Sequence, residues 1–190
     1  ISIATNSFLF TMIEPVQKWI RKRSALACKL ELRADPLATL PMSVDQSLLT
    51  GQVVLVGYGQ VGRHIAQTLA EKQIHYVVVD QHRAIVEPLR AADIPAVCGD
   101  AADPATLIQA HIMRASMLVI ATPDTFNVGK MVDIARTLNP DIETVLRAHN
   151  ETEAALLRNA GLGTTFIAEH ELACGISRHV LARFGHNEAS

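Results

Sequence analysis

A glycine-rich turn between two apolar segments constrains the fold of this chain more than any other feature. Gln52–Val56 is a short run rich in β-branched residues, and Gly57-Tyr58-Gly59-Gln60-Val61-Gly62 follows it at once. Apolar residues then recur at helical spacing, and a second β-branched run, His75–Val79, ends in Asp80. This order predicts a strand, a tight turn, a helix and a parallel strand that ends in a carboxylate.

The alternation of strand and helix continues along the chain. Further strands are expected at Ile94–Cys98, Met117–Ala121, Thr144–Arg147 and Thr164–Ala168, and helices at Arg83–Ala92, Asp124–Leu138 and Glu169–Phe184. Asp103 and Asn150 are expected to be helix N-caps, and Pro88 is expected to kink or shorten its helix. Such alternation predicts an α/β fold, a doubly wound Rossmann-type parallel sheet of about six strands, over residues 51–190.

The first fifty residues differ in composition from the rest. Ile1–Ile13 is mostly apolar, Trp19 follows, and basic residues cluster around and after it (Lys18, Arg21, Lys22, Arg23, Lys29 and Arg33). This order is typical of the cytoplasmic end of a membrane helix. We therefore predict the end of a transmembrane helix and its basic flank in residues 1–23, and a linker in residues 24–50. The alternative is an amphipathic helix that caps the domain or lies on a membrane surface.

Composition and missing motifs narrow the possible functions. The 17 Lys and Arg residues nearly balance the 19 Asp and Glu residues, so a nucleic-acid surface across the domain is not expected. Cys28, Cys98 and Cys174 lie far apart and are expected to be reduced thiols. The chain ends soon after the sixth predicted strand and has no H-E-x-x-H, G-x-S-x-G or G-K-[ST] motif. We therefore predict neither a catalytic residue nor a metal site, and the chain is not expected to be an enzyme.

The glycine motif predicts a site for a nucleotide phosphate. Gly57 would permit the tight turn, Gly59 the close approach of a phosphate, and Gly62 the packing of the helix near the strand. Free N–H groups and the positive end of the helix dipole would hold the phosphate. Asp80 would accept hydrogen bonds from both ribose hydroxyls. The 2′-phosphate of NADP would face the like charge of this carboxylate, which disfavours NADP, although Arg83 is close enough in sequence to weaken this preference. The structural alternative is a tight turn in a domain that has lost its ligand.

Other candidate residues follow the predicted strands, where ligands of such sheets bind. Asp100 either lies beside the adenine or caps a turn, and Thr122 either faces the ligand or caps the next helix. The predicted cofactor site contains Gly57, Tyr58, Gly59, Gln60, Val61, Gly62, Asp80, Gln81, Asp100, Ala101 and Thr122. A nucleotide site without a catalytic half, joined to a membrane helix, indicates regulation by a shift between two arrangements of the domain.

These motifs resemble those of the RCK N-terminal domain, also called KTN or TrkA-N. The resemblance rests on Val53–Gly62, Val77–Asp80, Gly99–Ala101 and Val145–Ala148, and it covers essentially the whole chain. The beginning of the chain, Ile1–Pro15, resembles the end of the last membrane helix in Kef-type potassium/proton antiporters.

The resemblance implies a cytosolic regulatory domain of a bacterial inner-membrane cation/proton antiporter, on the cytoplasmic side. Such domains bind NAD(H), AMP or another adenine nucleotide, form homodimers through the nucleotide-binding domain, often through the final helix, and act on their own transmembrane antiporter domain. It also places Arg147 at the nucleotide or the dimer interface, although Ala148-His149 departs from the Arg-Ala-Arg run of glutathione-gated members. The alternatives are a peripheral Trk- or Ktr-type potassium-uptake regulator and an NAD-dependent oxidoreductase fragment.

Overall fold

The computed structural model describes residues 36–41, 49–122 and 127–184. From Leu37 onward these residues belong to one compact unit. The predicted membrane-helix end at residues 1–23 and most of the predicted linker lie outside the described residues. Within the described ranges, we find no helix with the length and apolar character needed to cross a membrane.

Six short strands of the described chain form one all-parallel sheet. They are β1 (Val53–Val56), β2 (Tyr76–Asp80), β3 (Ala96–Cys98), β4 (Met117–Ile120), β5 (Glu143–Ala148) and β6 (Thr164–Ile167). Their order in the sheet is β3-β2-β1-β4-β5-β6, so the direction of winding reverses between β1 and β4. This is the doubly wound order of Rossmann-type domains, and the predicted fold class is confirmed.

Helices connect the strands on both faces of the sheet. They are α1 (Gln60–Glu71), α2 (Arg83–Ala91), α3 (Pro104–Gln109), α4 (Val128–Leu138), α5 (Glu151–Asn159) and α6 (Ala168–Arg183), with a 3-10 turn at Ile112–Arg114. The predicted N-caps are confirmed, because Asp103 accepts a hydrogen bond from Ala105 N at 3.0 Å and Asn150 from Glu153 N at 2.9 Å. Helix α2 continues past Pro88 to Ala91, one residue short of its predicted end.

The central strands are buried on both faces. Val54, Leu55, Val77 and Val78 are fully buried, although neighbours in a strand point to opposite sides of the sheet. A parallel sheet covered by helices on both faces requires such continuous apolar runs, which explains the composition of β1 and β2. The parallel register brings the carboxyl ends of β1, β2 and β4 to one edge of the sheet.

Part of the predicted linker packs against the domain. Leu37 O accepts a hydrogen bond from Cys98 N at 2.7 Å, and Leu37 packs against a cluster of core residues. The Arg90 guanidinium donates to Leu37 O at 2.8 Å and to Thr39 O at 2.6 Å. Leu49, just before β1, is also buried. The compact unit therefore begins at Leu37, ahead of the predicted boundary at residue 51.

Candidate functional site

A cavity of about 350 Å³ lies at the carboxyl edge of the sheet, beside the ends of β1, β2, β3 and β4. Seven predicted residues line it: Gly57, Gly59, Asp80, Gln81, Asp100, Ala101 and Thr122. Sequence reasoning did not select the other lining residues, Val56, Val79, His82, Ile85, Gly99, Asn127 and Met131. In doubly wound sheets, ligands bind at the carboxyl ends of the strands where the strand order reverses, and this cavity has that position.

The three motif glycines have distinct geometries. Gly57 has a φ of +90°, and a Cβ there would lie 2.9 Å from Thr122 N, so both conformation and space favour glycine. A Cβ on Gly62 would collide with the Gly57 carbonyl group, so the absence of a side chain lets α1 approach the end of β1. A Cβ on Gly59 would meet nothing within 4 Å. The fold therefore needs Gly57 and Gly62, whereas at Gly59 it leaves the space beside the backbone open.

The N-terminus of α1 borders the cavity without a cap. Gly59 is the N-cap residue, it provides no side-chain hydrogen bond, and no acidic residue lies in the first turn. The first N–H groups of a helix have no acceptor within the helix, so they and the helix dipole favour an anion at this end. This end of α1 can hold a phosphate by its backbone alone.

Asp80, at the end of β2, is only 7% exposed and already accepts hydrogen bonds from the fold. Its Oδ2 accepts from Tyr58 N at 2.9 Å, and its Oδ1 accepts from His82 N at 2.9 Å. The His82 Nδ1 also lies 2.9 Å from Oδ1. Asp80 therefore ties the glycine turn to β2 in addition to facing the cavity, a structural role that its position in the sequence did not reveal.

The other lining residues that were predicted divide between local structure and the cavity. Asp100 Oδ1 accepts a hydrogen bond from Ala102 N at 2.8 Å, which is the turn-capping alternative considered above, and the residue also lines the cavity. Ala101 is 3% exposed and packs in the main core cluster. Thr122 lies against Gly57, so the loops after β1 and β4 meet at the cavity.

Five predicted residues do not line the cavity: Tyr58, Gln60, Val61, Gly62 and Arg147. Gln60, Val61 and Gly62 form the first turn of α1, where their backbone can still contribute. Tyr58 packs against two apolar clusters, and its proximity adds to burial in raising the pKa of Tyr76. Arg147 lies on β5 in register with Phe166 of β6, and its Nε is buried without a hydrogen-bond partner among the described residues.

His82 is the functional candidate that sequence reasoning missed. It lines the cavity, precedes α2 as its N-cap and contacts Asp80. Its position two residues after the acidic end of β2 was a usable signal, because the residues after a strand of such a sheet border the ligand site. Elsewhere in the described ranges, the buried Cys98 and the exposed Cys174 are not in disulfides, and we find no group of three metal-ligating side chains.

Comparison with protein families and relatives gives consistent matches. The family model of the TrkA-N domain matches residues 53–168. The putative cation/proton antiporter YbaL of Escherichia coli (strain K12) is 32% identical over 174 residues, which are 91% of this chain and 30% of that protein. The putative K(+) efflux antiporter KefB of Alkalimonas amylolytica is 34% identical over 138 residues, 73% of this chain and 21% of that protein. The chain thus spans less than a third of either relative.

Solved structures share the fold. The TrkA-N domain of the inner membrane protein ybaL from Escherichia coli aligns with a TM-score of 0.63 at 34% identity, over 67% of this chain and 94% of that one. The Kef CTD of Shewanella denitrificans in its AMP-bound form gives a TM-score of 0.61 at 23% identity, over 70% and 81%. The GsuK channel bound to NAD gives 0.56 at 19%, over 88% and 28%. At these lower identities, the last two similarities concern the fold alone.

Proposed function

This chain belongs to the TrkA-N domain family, and from that premise we propose that it is the regulatory nucleotide-binding domain of a potassium/proton antiporter. In this proposal the domain lies on the cytoplasmic side of a bacterial inner membrane and acts on its own transmembrane part. One observation carries the proposal. The open side of Gly59, the uncapped end of α1 and the carboxylate of Asp80 border one cavity at the reversal of strand order.

The arrangement suits an adenosine phosphate. A phosphate over Gly59 would accept hydrogen bonds from the first N–H groups of α1, without requiring a lysine. The ribose hydroxyls would then donate to Asp80, and the apolar side chains of Ile85 and Met131 line the same cavity. A 2′-phosphate would instead meet the Asp80 carboxylate, so we expect NADP(H) to bind weakly. A cavity of about 350 Å³ lies within the usual range for small-molecule sites.

The choice of AMP and NAD(H) as ligands has two supports. Both contain the adenosine 5′-phosphate that the glycine turn and Asp80 would recognise. In addition, the AMP-bound Kef CTD and the NAD-bound GsuK channel have the fold of this chain. The antiporter relatives favour an antiporter domain over a peripheral uptake subunit and over an oxidoreductase fragment.

We further propose that nucleotide occupancy, rather than nucleotide turnover, is the output of the site. A ligand can shift an equilibrium between two arrangements of the domain only if it binds one of them more tightly. Nucleotide binding would then bias ion transport through the membrane part. Steady-state consumption of NADH by the purified chain with a hydroxy acid would contradict this proposal and support the oxidoreductase alternative.

A ligand panel tests nucleotide binding. We expect AMP, NAD and NADH to raise the melting temperature of the purified chain, and NADPH to raise it much less. A ligand at a hundredfold excess over its Kd stabilises the folded state by about 2.7 kcal/mol. An unchanged melting temperature with every adenine nucleotide at millimolar concentration would overturn the nucleotide proposal.

We also propose that two copies of the domain pair through α6. No residue of α6 is buried, and apolar side chains recur every fourth residue along it: Leu172, Ile176, Val180 and, just past its end, Phe184. Each of these side chains is at least 46% exposed. A contiguous apolar stripe of this kind is typical of a surface that a partner covers.

Substitution within the stripe tests the dimer. We expect Ile176→Asp to shift the chain toward the monomer in sedimentation velocity, because a carboxylate would be desolvated in the apolar interface. Arg178→Glu is the matched control, since it changes the charge on the other side of the same helix. A wild-type chain that is monomeric at high concentration would contradict pairing through α6 and leave nucleotide binding untouched.

A further inference from the structure

The His82 side chain contacts the carboxylate that the proposed function assigns to the ribose. Its Nδ1 lies 2.9 Å from Asp80 Oδ1, and a carboxylate can only accept, so Nδ1 carries the hydrogen of this bond. The His82 side chain is 67% exposed, whereas Asp80 is 7% exposed. The imidazole therefore sits between a buried carboxylate and solvent, on the lining of the cavity.

Two of the three donors to Asp80 are held by the backbone, and the third belongs to a side chain that can rotate away. Tyr58 N and His82 N are backbone groups that belong to the glycine turn and to the start of α2. The imidazole is a side-chain donor that rotation about its own torsions can remove without disturbing the backbone. A ribose that uses both oxygens of Asp80 therefore meets one movable competitor, at Oδ1.

We propose that His82 is an internal competitor for the nucleotide: its ring occupies the Asp80 oxygen that a ribose hydroxyl would take, and protonation of the ring strengthens that competition. The inference rests on the proposed nucleotide site. A charged donor forms a stronger hydrogen bond to a carboxylate than a neutral donor does. A lower pH favours the charged form of a histidine, so nucleotide affinity should fall as the pH falls.

The charged groups near His82 support the sign of this effect. Asp80 at the end of β2 and Asp100 after β3 are the carboxylates that line the cavity, so a positively charged ring meets groups of opposite charge there. On α2, the positive charge of Arg83 is paired with a carboxylate, since Arg83 Nη2 lies 3.4 Å from Glu87 Oε1. The lining contributed by α1, α4 and the loop after β4 carries no charged side chain among the described residues.

Calorimetric titration with NAD at about pH 8 and about pH 5.5 tests the inference. NAD is the suitable probe because its pyrophosphate diester keeps its charge across this range, whereas a phosphate monoester titrates near pH 6. His82→Asn retains a neutral side-chain donor and a good N-cap residue but cannot be protonated. His75→Asn is the matched control, since exposed His75 precedes β2 at the opposite edge of the sheet.

Between the two pH values, the affinity of the wild type for NAD should fall about three- to fivefold more than the affinity of His82→Asn. A change of this size corresponds to the free energy of a partly exposed ion pair. The His75→Asn variant should follow the wild type. Equal pH dependence in the wild type and His82→Asn would overturn the inference, and so would tighter wild-type binding at the lower pH. Absence of NAD and AMP binding at about pH 8 in all three proteins would overturn the proposed function itself.

Discussion

Replacement of Gly59 by alanine should separate nucleotide binding from folding. Gly59 has φ −72° and ψ −160°, an extended conformation that alanine adopts without strain, and its Cβ would meet nothing within 4 Å. The free energy of unfolding should therefore fall by only about 0.5 kcal/mol, the difference between glycine and alanine at a helix N-cap. Gly62→Ala should differ sharply. Its Cβ would collide with the Gly57 carbonyl group, and overpacking of this kind costs about 1–3 kcal/mol.

The loss of binding expected for Gly59→Ala follows from the hydrogen bonds at the phosphate. The new methyl group would occupy the space through which the phosphate approaches the end of α1, and at least one N–H bond to an anionic oxygen would be lost. Such a bond is worth about 1.5–3 kcal/mol, which corresponds to a Kd that is roughly tenfold to a hundredfold higher. At a ligand concentration a hundred times the wild-type Kd, ligand stabilisation should drop from about 2.7 to between about 0.4 and 1.4 kcal/mol.

The assay is urea unfolding of the wild type and each variant, with and without AMP or NAD. Gly175→Ala is the matched control, because it is the same substitution in the middle of α6, where a Cβ also meets nothing within 4 Å. It should stabilise the fold by about 0.5–1 kcal/mol and leave ligand stabilisation unchanged. Wild-type ligand stabilisation in Gly59→Ala would refute the reasoning, because the phosphate then does not approach the backbone at this residue.

Two further changes test other parts of the structure. Burial and the neighbouring Tyr58 raise the pKa of Tyr76, so its hydroxyl ionises less readily in the folded state than in the unfolded state. The free energy of unfolding should be retained at neutral pH and fall as the pH rises above about 10. In urea unfolding, Tyr76→Phe should flatten this decline. Parallel pH dependence of stability in the wild type and the variant would contradict the raised pKa of Tyr76. Arg90→Ala removes donors to Ala96 O, Leu37 O and Thr39 O, so limited proteolysis around residue 39 should accelerate several-fold; an unchanged rate would show that Arg90 does not hold this segment.

The sequence predicted the sheet well because its signals are local and repeated. Every described strand lies within two residues of its predicted range, since a parallel sheet covered on both faces demands short apolar runs separated by turns. The side chains of Asp103 and Asn150 satisfy helix N–H groups within three residues, which is also a local pattern. The resemblance to the TrkA-N domain depended on the same motifs and is confirmed by the family match.

The remaining features depend on contacts between distant segments, which spacing does not encode. The tie from Asp80 to Tyr58 N joins residues 22 positions apart, and it becomes visible only when β1 and β2 are placed side by side. It also changes how Asp80 should be tested. Asp80→Ala would leave two partly buried backbone donors without their acceptor and lower stability by about 1 kcal/mol or more, so lost binding in that variant would not isolate the ribose contact.

The packed segment at Leu37 bears on how the proposed regulation could act. Cys98 N donates to Leu37 O at 2.7 Å, and the next residue, Gly99, lines the cavity and donates its N–H to Asp80 O at 3.1 Å. The end of β3 therefore contacts the beginning of the compact unit, at Leu37, and also borders the candidate nucleotide site. A shift of the end of β3 on ligand binding would therefore act on Leu37 through one direct hydrogen bond. Two sites are coupled when both bias the equilibrium of one shared element. Because Arg90 donates to Leu37 O, the Arg90→Ala variant tests this coupling directly. Ligand should protect residues 37–41 from proteolysis in the wild type, and this protection should be lost in the variant.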